Sequence, residues 1–160
     1  MDGGVDRLSA LSDDLLRRIL YLVPAKEAAS TSVLSRRWGS LWRSSGAVNL
    51  DVRIPDEDRN NPGYSQRKED LFSHRDAFVR AAHAVLDGTA ARVTRLTLRV
   101  EDPKGRDTDT FLSRNRVWRH DDKLIGGLLS HRAAHRVEEL RVAAVDGREG
   151  ASGDDEEPDC

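Results

Sequence analysis

Apolar and polar positions follow two different rhythms along this chain. In the first, apolar residues fall at Leu11, Leu15, Leu16, Ile19, Leu20, Leu22 and Val23, the broad stripe of an amphipathic helix. Ser12 suits the N-cap, and Asp13 and Asp14 put negative charge at the positive end of the helix dipole. Pro24 stops the helix, because the residue before a proline is biased away from helical angles. A second helix is expected over Ala25–Leu34, with Ala28, Ala29, Ser32 and Val33 as a small-residue face. Ser35 caps a third, in which Trp38, Leu41 and Trp42 share one side at i, i+3 and i+4. Three such short helices carry more large apolar side chains than they can enclose, since units below ~40 residues rarely bury enough surface to fold alone. Some of that surface is expected to stay exposed as a partner site, or to pack against the rest of the chain.

The second rhythm has the period of a half-buried strand. Val48–Val52 alternates apolar with polar, as do Arg92–Val100, with Leu96, Leu98 and Val100 on one face, and Val137–Val142, with Leu140, Val142 and Ala144 inward. Leu50, Leu96 and Leu140 recur at intervals of 46 and 44 residues. Between the first two strands, Leu71, Phe72, Phe78, Val79, Ala82, Val85 and Leu86 fall at helical spacing before Gly88, a C-terminal stop. Between the second and third, Lys123–Arg136 carries Leu124, Ile125, Leu128 and Leu129 in the same way. Strand alternating with helix implies crossovers and a parallel sheet. Pro55–Lys68 and Asp102–Arg116, rich in polar residues, glycine and proline, read as a linker and a loop.

Charge and composition narrow the function. Lys plus Arg total 26 and Asp plus Glu 28, a formal net charge of −2, which argues against a protein held to nucleic acid by bulk charge. No apolar run approaches a membrane span, and the N-terminus lacks a signal-peptide pattern. The one cysteine, Cys160, has no internal partner, and no Asn-x-Ser/Thr site occurs, so a reducing compartment, cytoplasm or nucleus, is expected. From Gly147 onward the acids Glu149, Asp154, Asp155, Glu156, Glu157 and Asp159 face one base, Arg148, a composition that reads as a disordered acidic tail.

Catalytic and metal constellations are weak. His131 and His135 stand at i, i+4 on an expected helix, but no HExxH glutamate or nearby cysteine completes a metal site, so solvated histidines are expected. Asp107 and Asp109 begin like a calcium loop without its glycine and terminal glutamate. Gly126-Gly127 reads as close packing or a kink rather than a phosphate loop. Arg36, Arg37 and Arg43 beside two tryptophans raise a helical nucleic-acid-binding alternative. Trp38 and Trp42 share the apolar face with Leu41, however, which makes them core. No catalytic centre, cofactor or metal site is expected.

The order Leu8-Ser9-x-Leu11-x-Asp13-Asp14-Leu15-Leu16-x-x-Ile19-Leu20-x-x-Val23-Pro24, followed by Glu27-Ala28-Ala29-x-Thr31-Ser32-Val33-Leu34-Ser35-Arg36-Arg37-Trp38-x-x-Leu41-Trp42, closely resembles the F-box. It is most similar to plant F-box proteins carrying leucine-rich-repeat and FBD regions. The resemblance implies a three-helix motif that docks onto a Skp-type adaptor and so joins a cullin-RING ubiquitin ligase, with the chemistry left to other subunits. It implies adaptor contacts at Leu11, Ser12, Leu15, Ile19 and Leu20. Val33, Leu34, Trp38, Leu41 and Trp42 match the second and third helices, as core and contact together. One departure stands out: the family's proline after the first leucine is Ser12 here, a loss of ring contact that costs on the order of 1–2 kcal/mol of adaptor binding. The strand-helix units resemble the divergent leucine-rich repeats that follow the F-box in the same family.

The expected architecture is therefore α+β. An F-box bundle spans 6–50, a strand end and linker 51–69, a short repeat-like strand-helix region with a parallel sheet 70–145, and an acidic tail 146–160. Solenoids need roughly three or more units and a cap, so the array reads as short or truncated. The expected function is a substrate-recruiting, non-enzymatic F-box subunit with an unknown protein substrate and no nucleic-acid or membrane partner. The alternative is a competitor that occupies the adaptor and recruits nothing.

Overall fold

The structure, a computed structural model, describes residues 10–33, 35–56, 63–113 and 124–146. Helices α1 (Asp13–Leu22), α2 (Ala25–Ser30) and α3 (Arg36–Arg43) form the N-terminal bundle. As the sequence predicts, Ser12 Oγ accepts the Leu15 N–H at 3.4 Å and Ser35 Oγ accepts the Trp38 N–H at 3.4 Å, satisfying orphan donors at two helix starts. Val23, extended before Pro24, ends α1. The second helix is shorter than the expected Ala25–Leu34. It tightens into a 3-10 turn over Thr31–Val33, where the hydroxyls of Ser30 and Thr31 bond back to Glu27 O and Ala28 O at 2.7 and 2.6 Å. Such back-bonding competes with continued α-helix.

Three parallel strands follow, β1 (Ala47–Arg53), β2 (Arg95–Asp102) and β3 (Glu139–Asp146), in the order β1-β2-β3. Their register aligns Val48, Leu96 and Leu140 in one row and Leu50, Leu98 and Val142 in the next. The expected strands are all present, and their alternation packs one face of β1 and β2 under α4 (Tyr64–Gly88), α5 (Thr108–Leu112) and α6 (Leu124–Leu129). Val48, Leu96, Leu98 and Val100 are each at most 1% exposed.

Four expectations need correction. The linker reading of Pro55–Lys68 fails from Tyr64 onward, because α4 begins there and runs 25 residues. Gln, Arg, Lys and Glu are good helix formers, so a polar segment next to an apolar stripe extends that helix rather than looping. The loop reading of Asp102–Arg116 misses α5, whose Phe111 is fully buried. The helix expected over Lys123–Arg136 is α6 alone, followed by a 3-10 turn at Arg132–Ala134. His131 caps that turn, its Nδ1 accepting the Ala133 N–H at 3.2 Å. Its ring is only 12% exposed, with Nε2 3.3 Å from Asp87 Oδ1, so it is a packed capping group and not a solvated helix histidine. Finally, Leu140 and Val142, expected inward, are 43% and 44% exposed, because no helix layer extends over β3. Close packing does not account for Gly127 either, where an added Cβ would meet nothing within 4 Å. The expected acidic tail from Gly147 lies outside the described residues.

Asp102 explains why a polar loop folds. The residue is 1% exposed. Its Oδ2 accepts the Asp107 N–H at 2.7 Å, the Thr108 N–H at 3.0 Å and the Thr108 hydroxyl at 3.1 Å, and its Oδ1 accepts the Lys104 N–H at 3.2 Å. Burial pushes its carboxyl upward, but these donors, led by the Asp107 amide, outweigh burial and hold it below the usual carboxylate value. Asp107, at the N-cap of α5, is also ion-paired to Arg67 on α4. Buried Arg75 donates its Nε–H to Phe111 O at 2.8 Å, fastening α5 to α4.

Candidate functional site

The candidate site is the N-terminal bundle, and its first helix splits its apolar stripe in two. Leu16 and Leu20, at i, i+4, are 0% and 2% exposed and pack with Ala28, Trp38, Leu41 and Trp42. Leu15, Ile19 and Leu22, at i, i+4, i+7 one position aside, are 46%, 41% and 70% exposed. The stripe of α1 is wider than the core it faces, so its second half remains in water.

The sequence-predicted site residues divide accordingly. Leu15 and Ile19 lie on the outward half-stripe. Val33 is 89% exposed in the 3-10 turn before α3. Ser12 is exposed at the N-cap with φ −67°, an angle proline also adopts. Leu11 is half-buried and packs on the edge of the cluster. Leu20, Trp38, Leu41 and Trp42 are 2–8% exposed, so they support the surface from inside and do not present themselves to a partner. Leu34 lies outside the described residues. Leu22 joins the exposed half-stripe and was absent from the sequence-predicted set, although its spacing of three from Ile19 and seven from Leu15 is the signal that finds it. With both tryptophans buried, neither offers a face for base stacking.

Electrostatics set the pose of α1. The Arg37 guanidinium of α3 donates Nε–H to Asp13 Oδ1 at 2.8 Å and Nη2–H to Leu11 O at 2.6 Å. It thus clamps the start of α1, where the carboxylate already favours the dipole. Arg17 pairs with Asp14 at 3.1 Å. The other end of α1 is held by the sheet: Asn49, 8% exposed on β1, donates Nδ2–H to Tyr21 O and Val23 O, both at 3.0 Å. These carbonyls at a helix end otherwise lack partners. The Arg95 guanidinium of β2 lies 5.0 Å over the Tyr21 ring, a cation–π contact.

The bundle is seated on the sheet in several further places. Ala25 belongs to the sheet's core cluster, and Val85 of α4 packs against the bundle's own. The Ala90 and Ala91 amides donate to Arg43 O at 2.9 and 3.1 Å. Gly46, at φ 79°, turns the chain into β1 while its carbonyl accepts from the Thr94 and Arg95 amides at 2.9 and 3.2 Å, a left-handed turn that favours glycine. Asp51 on β1 has its carboxyl raised, first by burial and then by Glu27, with Arg99 pulling it back. Arg17, Arg18, Tyr21, Leu22 and Ser45 line a shallow open cleft of about 340 Å³ beside the outward half-stripe. Among the described residues, no group of three or more His, Cys, Asp or Glu side chains is placed to hold a metal ion.

Comparison with known proteins identifies the bundle. Residues 8–47 match the F-box domain. An F-box/FBD/LRR-repeat protein of Arabidopsis thaliana is 58% identical over 47 residues, covering 29% of this chain and 11% of that protein. An FBD-associated F-box protein of the same plant is 56% identical over 51 residues, 32% of this chain and 13% of its own. The MEIOTIC F-BOX protein MOF of Oryza sativa subsp. japonica is 32% identical over 117 residues, 71% of this chain and 24% of its own. The chain thus spans between about a tenth and a quarter of the length of these relatives. No solved structure matches it.

Proposed function

Proceeding from residues 8–47 as an F-box domain of the plant F-box/FBD/LRR-repeat kind, we propose that the chain docks onto a Skp-type adaptor and serves as a substrate-recruiting subunit of a Skp-cullin-F-box ubiquitin ligase. The observation that carries this reading is the split stripe of α1: Leu15, Ile19 and Leu22 stay exposed on a helix whose other apolar half is buried. A half-stripe over a filled core offers a partner apolar area at little cost, because the side chains below it already fix the helix. Val33, Leu11 and Ser12 flank it in the proposed contact, while Leu20, Trp38, Leu41 and Trp42 hold it rigid. In this reading the chain is no enzyme: it brings a protein substrate to catalytic subunits, in the cytoplasm or the nucleus. The strand-helix region would supply the substrate surface as a short leucine-rich-repeat-like array.

One observation favours a second reading. The sheet has three strands and its last is uncovered, a small platform for a substrate, which suits a chain that occupies the adaptor and recruits nothing.

The test is co-purification with a plant Skp-type adaptor, comparing the wild-type chain with a Leu15→Asp, Ile19→Asp double variant. The wild type is expected to form a one-to-one complex that the folded variant loses. No complex from folded wild-type chain sinks the adaptor reading. A complex whose formation leaves cellular substrate turnover unchanged when β3 is altered favours the second reading over the first.

A further inference from the structure

The three strands carry the same apolar pattern in register but end in different environments. In the row Leu50–Leu98–Val142, exposure runs 4%, 1% and 44%, and in the row Val48–Leu96–Leu140 it runs 1%, 1% and 43%. β1, at one edge of the sheet, is flanked by α1 and α2. β3, at the other edge, pairs with β2 alone. Eight residues long, it has no proline and no lysine, the usual devices that blunt an exposed edge. The residues that follow, 147–160, carry no large apolar side chain, so they offer nothing to cover Leu140 and Val142.

We propose that the free edge of β3 is a self-association surface, pairing antiparallel with β3 of a second copy across a two-fold axis. A two-fold interface needs a self-complementary patch, and β3 is one. With the axis at Val142, residues 139–145 overlap throughout. Val142 then stands opposite Val142 of the second copy, and Leu140 opposite its Ala144, apolar against apolar on the face that α4 and α6 leave bare. On the opposite face Glu139 meets Val145 and Arg141 meets Ala143, so no like charges stand directly opposite. Both copies gain hydrogen-bonding partners for the backbone of an open edge. One strand edge covers less than the roughly 800 Å² per partner of a standard interface, so the dimer is expected to be weak, dissociating at roughly 10–100 µM.

Sedimentation equilibrium of the purified chain from about 1 to 300 µM, a range bracketing that constant, tests this, with amide hydrogen exchange as a second readout. The wild type is expected to pass from monomer to dimer, with exchange across β3 slowing as concentration rises while α4 stays unchanged. A Leu140→Lys, Val142→Lys variant is expected to remain monomeric. Ala144→Lys, also at an exposed position, is the second variant should the double change disturb folding, and is expected to weaken the dimer at least tenfold. The Leu15→Asp, Ile19→Asp variant controls for the other apolar patch and is expected to dimerise as the wild type does. A wild type that stays monomeric overturns the proposal. So does a dimer that survives the β3 changes, or one that only the α1 changes dissolve.

Discussion

Two regions of this molecule leave large apolar side chains in water, for opposite reasons. On α1, the exposed Leu15, Ile19 and Leu22 stand over a closed cluster in which Leu16, Leu20, Trp38, Leu41 and Trp42 are nearly inaccessible. On β3, the exposed Leu140 and Val142 belong to rows whose other members are buried, and they stand bare because the helical layer stops short. The first surface is a surplus on a finished core. The second is an unfinished edge. Apolar exposure alone therefore does not identify a partner site, and what lies beneath it separates the two cases.

The comparison is broken most severely from inside the strand-helix layer. Phe111→Ala removes a fully buried ring that packs near Phe78 and His74, at centroid distances of 6.0 and 6.2 Å. It is expected to cost about 3–5 kcal/mol, read as a lowered denaturant midpoint, with adaptor binding reduced only through the unfolded fraction. A shift below about 1 kcal/mol would mean α5 is not part of the cooperative core.

A smaller loss is expected from Asp102→Asn, which places an amide among four donors and costs about 1.5–3 kcal/mol at neutral pH. The pH dependence has a definite sign. A carboxyl whose folded pKa lies below its unfolded value contributes stability that is present above the unfolded value and lost as pH falls through the folded one. The gap between wild type and variant is therefore expected to be widest at neutral pH and to shrink below about pH 4. Denaturant midpoints collected for both chains across that range check it, and a gap that widens in acid would refute the assignment.

The smallest effects sharpen the contrast between the two exposed patches. Leu15→Asp with Ile19→Asp, and separately Leu140→Lys with Val142→Lys, are each expected to shift stability by no more than about 1 kcal/mol. The first pair should leave the melting temperature nearly unchanged while abolishing adaptor capture. A fall of many degrees in either variant would show that its patch packs against something within the chain.

Much of this was legible in sequence because the signals were local. The caps at Ser12 and Ser35, the stop at Pro24 and the alternation in β1 and β2 depend on neighbours within a few residues, and each appears where expected. The linker and loop readings failed because polarity was taken for disorder. In α4 the first turns are polar yet helical, and in the Asp102 turn the partners that make a polar segment stable are one buried carboxylate and an arginine 40 residues away. The His131 reading failed similarly, since its i+4 spacing to His135 says nothing of Asp87, which lies on another helix.

The sequence by itself determined the three-helix motif, the strand periodicity and the family resemblance, because helix stripes, caps and strand alternation are set by side chains a few positions apart. Only the tertiary structure decided which half of the α1 stripe faces water, that Asn49 and Arg95 seat the bundle on the sheet, and that β3 ends uncovered. Those outcomes depend on which surfaces meet across the fold. A periodic pattern marks a face as apolar without saying what, if anything, packs against it.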